Sequence, residues 1–180
     1  VQSTDAPPRS YQVANAKGLT PEQMAWSMMR VTGVLERIVK TPRPEDSAFT
    51  YKDYINGRIP APGNLADTML LFTSVFGNPP GEAEITFQPS MGQALFLMNE
   101  QLVLDWLKPS EGNLVDRLVK IQDPVQITEE LYLQVLGRFP GEEEAALVAA
   151  HLEKNKDRFT EAVSEYAWAL VTSAEFKLNH

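Results

Sequence analysis

Apolar residues recur at intervals of three and four through most of this chain, the spacing that places them on one face of an α-helix. The segment 127–180 shows this spacing most clearly, and turn residues divide it into three predicted short helices. The first helix is expected to end at Gly137, and the turn pair Pro140–Gly141 precedes the second. Three glutamates at 142–144 then suit the positive N-terminal end of that helix. We expect this segment to organise the fold.

Helix-capping residues predict further helices upstream. Residues 20–23, TPEQ, combine a capping box with proline at the first helical position, and residues 90–93, SMGQ, form a second capping box. Asn64 is placed to cap a helix that Gly77 ends. The remaining apolar stretches with helical spacing lie at 24–35, 94–98, 102–107 and 114–121.

Only residues 83–87 resemble a β-strand, and that stretch is short. The pattern therefore predicts an all-α fold, a compact orthogonal bundle of about seven to nine short helices with a proline-rich irregular loop. We expect residues 19–180 to form a single helical domain. Residues 1–18 contain Pro7–Pro8 and no clear periodicity, and we interpret them as an extended arm or the remnant of an upstream domain.

The irregular loop is expected at residues 41–63, where four prolines prevent a long helix. It carries the aromatic residues Phe49, Tyr51 and Tyr54. The rings either pin the loop to the body of the domain, or they contact a ligand or a partner. Both interpretations stay open, and pinning of the loop is favoured.

Trp168 lies nearly opposite the apolar stripe of the last helix. The favoured interpretation is that this helix packs on two sides near its end. The alternative is that Trp168 docks a partner protein, because exposed tryptophan is enriched at interfaces.

Composition and charge narrow the possible partners. The apolar fraction is 43% and the formal net charge is −8. No basic stripe is visible, which disfavours nucleic acid and anionic membrane surfaces. No apolar run approaches the roughly 18 residues of a membrane-spanning helix, so we expect no membrane insertion. The absence of cysteine removes disulfides, thiolate nucleophiles and cysteine-type metal sites.

The sequence contains no recognisable reactive constellation. His151 sits at the edge of an apolar stripe, and its spacing of seven from Glu144 is too long for both to bind one metal ion directly. The acidic runs are expected to be solvated faces and helix-dipole partners, because a general acid needs a desolvated pocket. We therefore predict no catalytic residue, no metal ligand and no cofactor.

The C-terminal third resembles the signature of a planctomycete-specific domain of unknown function, which has the form LY-x-x-x-L-x-R-x-P-x-x-x-E and then WAL-x-x-S-x-EF-x-x-N. The stretches QALFLMN at 93–99 and LTPEQM at 19–24 resemble earlier family segments in the right order. The matching signature positions are Leu131, Tyr132, Leu136, Arg138, Pro140, Glu144, Trp168, Ala169, Leu170, Ser173, Glu175, Phe176 and Asn179.

This resemblance implies the C-terminal part of a larger protein that is exported or associated with the cell envelope, in a periplasmic or similar location. Relatives often also carry a cytochrome-c-like domain, and the family has no catalytic residues to carry over. The chain departs from the family pattern at residues 81–86, GEAEIT, where relatives have an acidic stretch containing arginine and cysteine.

Two functions are compatible with these features, and the first is favoured. A non-catalytic scaffold or docking module would bind other domains of its parent chain or another protein. It would use Trp168, Phe49, Tyr51 and Tyr54 as candidate contacts, and it predicts an exposed apolar surface where residues 1–20 leave the body. The alternative is part of an enzyme acting on a carbohydrate or a redox partner. That hypothesis predicts a deep pocket with convergent ionisable groups near residues 49–67, with Asp53, Arg58 and Asp67 as candidates.

Overall fold

A computed structural model of the chain describes residues 17–77, 93, 95–97 and 101–179. Apart from one pair of two-residue strands, the regular elements of these residues are helical, which confirms the predicted all-α class. The strands are β1 (Lys17–Gly18) and β2 (Leu178–Asn179). The α-helices are α1 (Pro21–Thr32), α2 (Leu35–Lys40), α3 (Tyr51–Ile55), α4 (Leu65–Phe76), α5 (Gln101–Trp106), α6 (Leu114–Leu118), α7 (Pro124–Leu136), α8 (Glu142–Lys154) and α9 (Phe159–Val171).

The predicted caps determine where several helices begin and end. The hydroxyl of Thr20 accepts a hydrogen bond from the backbone N–H of Gln23 at 3.2 Å, and the Gln23 side chain accepts one from the Thr20 N–H at 3.0 Å. Asn64 caps α4 by accepting a hydrogen bond from the N–H of Asp67 at 3.0 Å. Gly137 ends α7 in the left-handed conformation with φ 70°. These contacts are local, which is why the sequence pattern reveals them.

Two helix boundaries differ from the expectation. Helix α7 begins at Pro124, three residues before the segment described above, because Asp123 caps it and proline suits the first helical position. The proline-rich loop contains the five-residue helix α3, which Thr50 caps by accepting the N–H of Asp53 at 3.1 Å. The predicted capping box at 90–93, the strand candidate at 83–87, the departure at 81–86 and residues 1–16 lie wholly or partly outside the described residues.

The core forms where the helices pack at their apolar faces. Helix α1 packs against α4, and α9 packs against α6, α7 and α8. The ring of Phe72 in α4 stacks on Trp106 in α5 with the centroids 6.0 Å apart, and both side chains are buried. Burying each side chain of this size contributes about 2 kcal/mol. None of the helices in the described part of the chain has the length and apolar character needed to cross a bilayer.

The two ends of the described domain meet at the strand pair. Lys17 lies opposite Asn179 and Gly18 opposite Leu178 in an antiparallel register. The N–H of Leu19 extends this pairing by donating to the carbonyl of Lys177 at 2.9 Å. The start of α1 and the turn that follows α9 are therefore held side by side.

A buried asparagine joins the segment after α5 to the start of α6. The amide nitrogen of Asn113 donates to the carbonyls of Lys108 at 2.6 Å and Trp106 at 3.3 Å, and its amide oxygen accepts from the N–H of Asp116 at 2.9 Å. Gly33, with φ 84°, approaches this residue so closely that a Cβ added to it would lie 3.1 Å from the Cα of Asn113. The end of α1 and the start of α6 therefore need glycine at position 33.

We predict that Gly33→Ala destabilises the protein more than Gly137→Ala does. Both glycines have a positive φ, which costs a non-glycine residue about 1 kcal/mol. An added Cβ at Gly137 meets no atom within 4 Å, whereas the one at Gly33 presses on backbone. Overpacking of this kind costs about 1 kcal/mol more. Urea denaturation of both variants measures the difference, and equal losses would show that the α1–α6 approach is not tight.

Candidate functional site

Arg138 connects three parts of the C-terminal segment. It follows the left-handed residue that ends α7, and its Nη1 and Nη2 each donate to a carboxylate oxygen of Glu144 at 2.7 Å. Its Nε and Nη2 donate to the two carboxylate oxygens of Glu175 at 2.6 and 2.8 Å. We call Arg138, Glu144 and Glu175 the Arg138 clamp. It fixes the α7–α8 corner to the turn that follows α9.

The clamp uses the whole hydrogen-bonding capacity of the guanidinium. Nη1 also donates to the carbonyl of Phe139 at 3.0 Å, so the five N–H groups of Arg138 all have acceptors within the chain. The Arg138 Cζ lies 5.3 Å from the centre of the Tyr132 ring, which adds a cation–π contact. Arg138 is therefore a structural cross-link, with no donor left to bind a ligand.

Glu144 also sets the start of α8, because one of its oxygens accepts the N–H of Gly141 at 2.7 Å. Hydrogen bonds from Arg138, and then that from Gly141, lower the pKa of Glu144 to about 2. Burial raises the pKa of Tyr132, and the hydrogen bonds that Arg138 donates to both carboxylates raise the pKa of Arg138. Arg138 and Glu144 are therefore both charged across the ordinary pH range.

An open groove lies beside the clamp, with a volume of about 230 Å³. Its apolar lining includes Leu19, Val31, Leu136 and Phe176, and its polar lining includes Ser27, Arg30 and Glu175. We call this the C-terminal groove. It lies between α1, the end of α7 and the turn before β2, next to the place where the N-terminal residues join the body. This is the position at which the docking hypothesis predicts an exposed apolar surface.

Glu175 belongs to both the clamp and the groove. The turn that carries it is capped by Ser173, whose hydroxyl accepts the N–H of Phe176 at 3.2 Å. Phe176 is buried in the core and also forms part of the groove wall. The clamp therefore determines the shape of the groove by holding this turn against α7.

The aromatic residues of the proline-rich loop are half-buried. Phe49, Tyr51 and Tyr54 pack against the core, and the rings of Phe49 and Tyr54 lie 6.0 Å apart. This packing supports the interpretation that they pin the loop. Contact with a partner through their exposed portions stays a prediction.

The ionisable residues proposed for a site at 49–67 form two separate groups. Asp53 pairs with Arg58 at 3.0 Å near the surface, and hydrogen bonds from Thr50 and Arg58 lower the pKa of Asp53. Asp67 is 4% exposed, and its Oδ1 forms an ion pair with the Nε of Arg43 at 2.9 Å. This contact does not have the geometry of a hydrogen bond, so the buried Oδ1 accepts none.

The other oxygen of Asp67 completes a buried polar cluster. Oδ2 accepts hydrogen bonds from Ser47 at 2.9 Å and from the side chain of Asn64 at 2.8 Å. Both Arg43 and Ser47 belong to the proline-rich loop, so Asp67 ties that loop to α4. Nothing in the sequence pattern signals these partners, because they are about 20 residues away along the chain.

Trp168 is half-buried and packs against the core. Its indole N–H donates to the carbonyl of Leu97 at 3.0 Å, 71 residues away in sequence. This contact supports the interpretation that α9 packs on two sides near its end. A role in binding a partner stays a prediction, and only the exposed part of the Trp168 ring is free to make such a contact.

His151 belongs to α8, and its partly buried side chain lies against α9. Its Nε2 is 3.2 Å from the carbonyl of Ala162 and 3.7 Å from a carboxylate oxygen of Glu165, and its ring lies 5.7 Å from that of Tyr166. Among the residues described by the structure, no three histidine, aspartate or glutamate side chains converge as a metal site would require.

No protein-family model matches the chain, and comparisons with curated proteins and with solved structures give no match either.

We predict that Arg138→Lys destabilises the protein by about 1 kcal/mol, because lysine keeps the charge but cannot hold two carboxylates bidentately. The expected loss of stability is small because each clamp side chain is more than a third exposed and solvent screens the ion pairs. Arg158→Lys is the matched control, because Arg158 also holds a carboxylate, that of Glu165, with two nitrogens but at the surface. Thermal unfolding should show a larger loss for Arg138→Lys. A loss no larger than in the control would contradict the role of the clamp.

The clamp also predicts a pH dependence of stability. The pKa of Glu144 is about 2 in the folded protein against 4.5 for the unperturbed group, so its contribution is present above about pH 4.5 and lost as the pH falls towards 2. Urea denaturation between pH 6 and pH 2.5 should therefore show a shallower decline for Glu144→Gln than for the unchanged protein. Glu143→Gln removes a carboxylate from the same turn and should keep the steeper decline. Parallel curves for all three proteins would contradict this assignment.

Proposed function

We propose that this domain is a non-catalytic helical docking module, and that its contact surface is the C-terminal groove. The observation that carries the proposal is the open apolar groove walled by elements that the Arg138 clamp and the strand pair hold in place. A groove supported in this way keeps its shape without a ligand, and such preorganisation lowers the free-energy cost of binding.

The arrangement of charged side chains supports the same function. Arg138, Glu144 and Glu175 bind one another, and Asp67 binds Arg43 and its polar neighbours. These convergent groups position helices and a loop. A catalytic acid or base needs in addition a path to a substrate atom. The alternative, an enzyme domain acting on a carbohydrate or a redox partner near residues 49–67, has less support because Asp67 is enclosed by loop side chains and Asp53 is paired at the surface.

The biological setting follows from the resemblance. Under this proposal the domain is part of a larger exported or envelope-associated protein of the planctomycete-specific family. Its partner is another domain of the same parent chain or a separate protein. The signature positions of that family include all three residues of the Arg138 clamp and Phe176, which forms part of the groove wall. A shared need to maintain the groove accounts for that pattern.

Site-directed cross-linking tests this function, and the absence of cysteine makes the labelling specific. Ser27→Cys places a benzophenone–maleimide label in the groove, and Lys154→Cys places it on the exposed end of α8. Each labelled protein is irradiated in an extract of the cells that naturally produce it. We expect an adduct at position 27 well above that at position 154, and mass spectrometry then identifies the cross-linked peptide. Equal yields at the two positions, or no adduct at either, would contradict the proposal.

A further inference from the structure

The C-terminal groove contains a cation to which the described part of the chain supplies no counter-charge. Arg30 lies in the last turn of α1 and forms part of the groove lining, and it makes no ion pair with any residue in the described ranges. The one carboxylate named in the lining, Glu175, has both oxygens bound by Arg138. The clamp therefore occupies Glu175, and Arg30 has no carboxylate partner among the residues that the structure describes.

Two further cations lie on the elements that wall the groove. Lys17 is in β1, two residues before the lining residue Leu19. Lys177 lies between Phe176 and Leu178, which also line the groove. Neither has an ion-pair partner in the part of the chain that the structure describes. Burial lowers the pKa of Lys177, the direction expected for an amine that is partly desolvated without a carboxylate beside it. Together with Arg30, these lysines place three cations on the elements around the groove, in a chain of net charge −8.

The size of the groove limits what enters it. Its volume of about 230 Å³ is below the roughly 300 Å³ at which drug-sized ligand pockets begin. It is also open to solvent and runs beside the backbone of the strand pair. These dimensions suit one apolar side chain of an extended peptide, and they do not suit a large cofactor.

We propose that the C-terminal groove docks a peptide segment in which an apolar side chain adjoins a carboxylate, with the side chain seated against Val31, Leu136 and Phe176 and the carboxylate bound by Arg30. This inference rests on the proposed docking function and specifies the chemistry of the partner. Arginine suits the task because its planar guanidinium binds a carboxylate through two parallel hydrogen bonds. The apolar contact supplies affinity, and the charge selects acidic over basic segments.

Short blocked dipeptides test this pairing directly. The probe is acetyl-Phe-Asp-amide, titrated into the ¹⁵N-labelled protein and followed by amide chemical shifts. Acetyl-Phe-Asn-amide replaces the carboxylate with a neutral group of the same shape, and acetyl-Ala-Asp-amide removes the apolar side chain. We expect the Phe-Asp probe to shift Ser27, Arg30, Val31 and Phe176 with a dissociation constant on the order of 1 mM. The Phe-Asn probe should bind about fivefold more weakly, and the Ala-Asp probe should cause no saturable shift at these residues.

Arginine variants separate the charge from the fold. Arg30→Gln should weaken binding of the Phe-Asp probe about fivefold and leave binding of the Phe-Asn probe unchanged. Arg30→Lys should retain part of the difference in affinity between the Phe-Asp and Phe-Asn probes, because lysine keeps the positive charge. Arg37→Gln is the matched control, because Arg37 is also an exposed arginine in the last turn of a helix and also lacks an ion pair among the described residues. It should leave both titrations unchanged, and the dispersed amide spectrum of each variant checks that it is folded.

The outcomes distinguish this inference from the docking function on which it rests. Equal affinity for the Phe-Asp and Phe-Asn probes, shifts confined to other surfaces, absence of any saturable shift, or an Arg30→Gln titration identical to the control would each overturn the inference. If the adduct at position 27 still forms in that case, the groove docks a partner of different chemistry. If the adduct also fails to form, the docking function itself is wrong.

Discussion

The arrangement of the C-terminal half depends on a single arginine whose five N–H groups are all engaged. Arg138 holds Glu144 at the start of α8 and Glu175 in the turn after α9, two carboxylates that would repel each other without a cation between them. The consequence is geometric. The α7–α8 corner and the terminal turn cannot move apart without breaking several charge-assisted hydrogen bonds at once.

The clamp orients the fold more than it stabilises it. Its side chains are each more than a third exposed, so water and salt screen their ion pairs, and pairs of this kind contribute little to the free energy of folding. Most of the stability comes from apolar packing, such as the buried stack of Phe72 on Trp106 and the faces of α1 and α4. The hydrophobic effect is not directional, however, and it does not select one position for a terminal turn. The clamp and the β1–β2 pairing fix the position of this turn, and the C-terminal groove forms beside it.

Around Asp67, too, apolar packing stabilises the structure and polar contacts fix the position of a segment. The proline-rich loop has no long helix to bury, so aromatic rings and a buried carboxylate attach it to α4. Such a carboxylate is costly to desolvate and is tolerated because Arg43, Ser47 and Asn64 compensate it. Polar chemistry inside this domain therefore fixes the positions of its parts. The open apolar groove and Arg30, which has no ion pair among the described residues, face outward.

The sequence by itself determined the all-α class and the helix ends at Thr20, Asn64 and Gly137, because each of these depends on residues within three or four positions of one another. Tyr132, Arg138, Glu144 and Glu175 are also among the positions on which the predicted family resemblance rests. Only the tertiary structure decided that these four meet, that Trp168 donates to Leu97, and that Asp67 pairs with Arg43. Among these contacts, Arg138 and Glu175 lie 37 residues apart, and Trp168 and Leu97 lie 71 residues apart. Their contact follows from how whole helices pack, and hydrophobic periodicity specifies a buried face without specifying which face it meets.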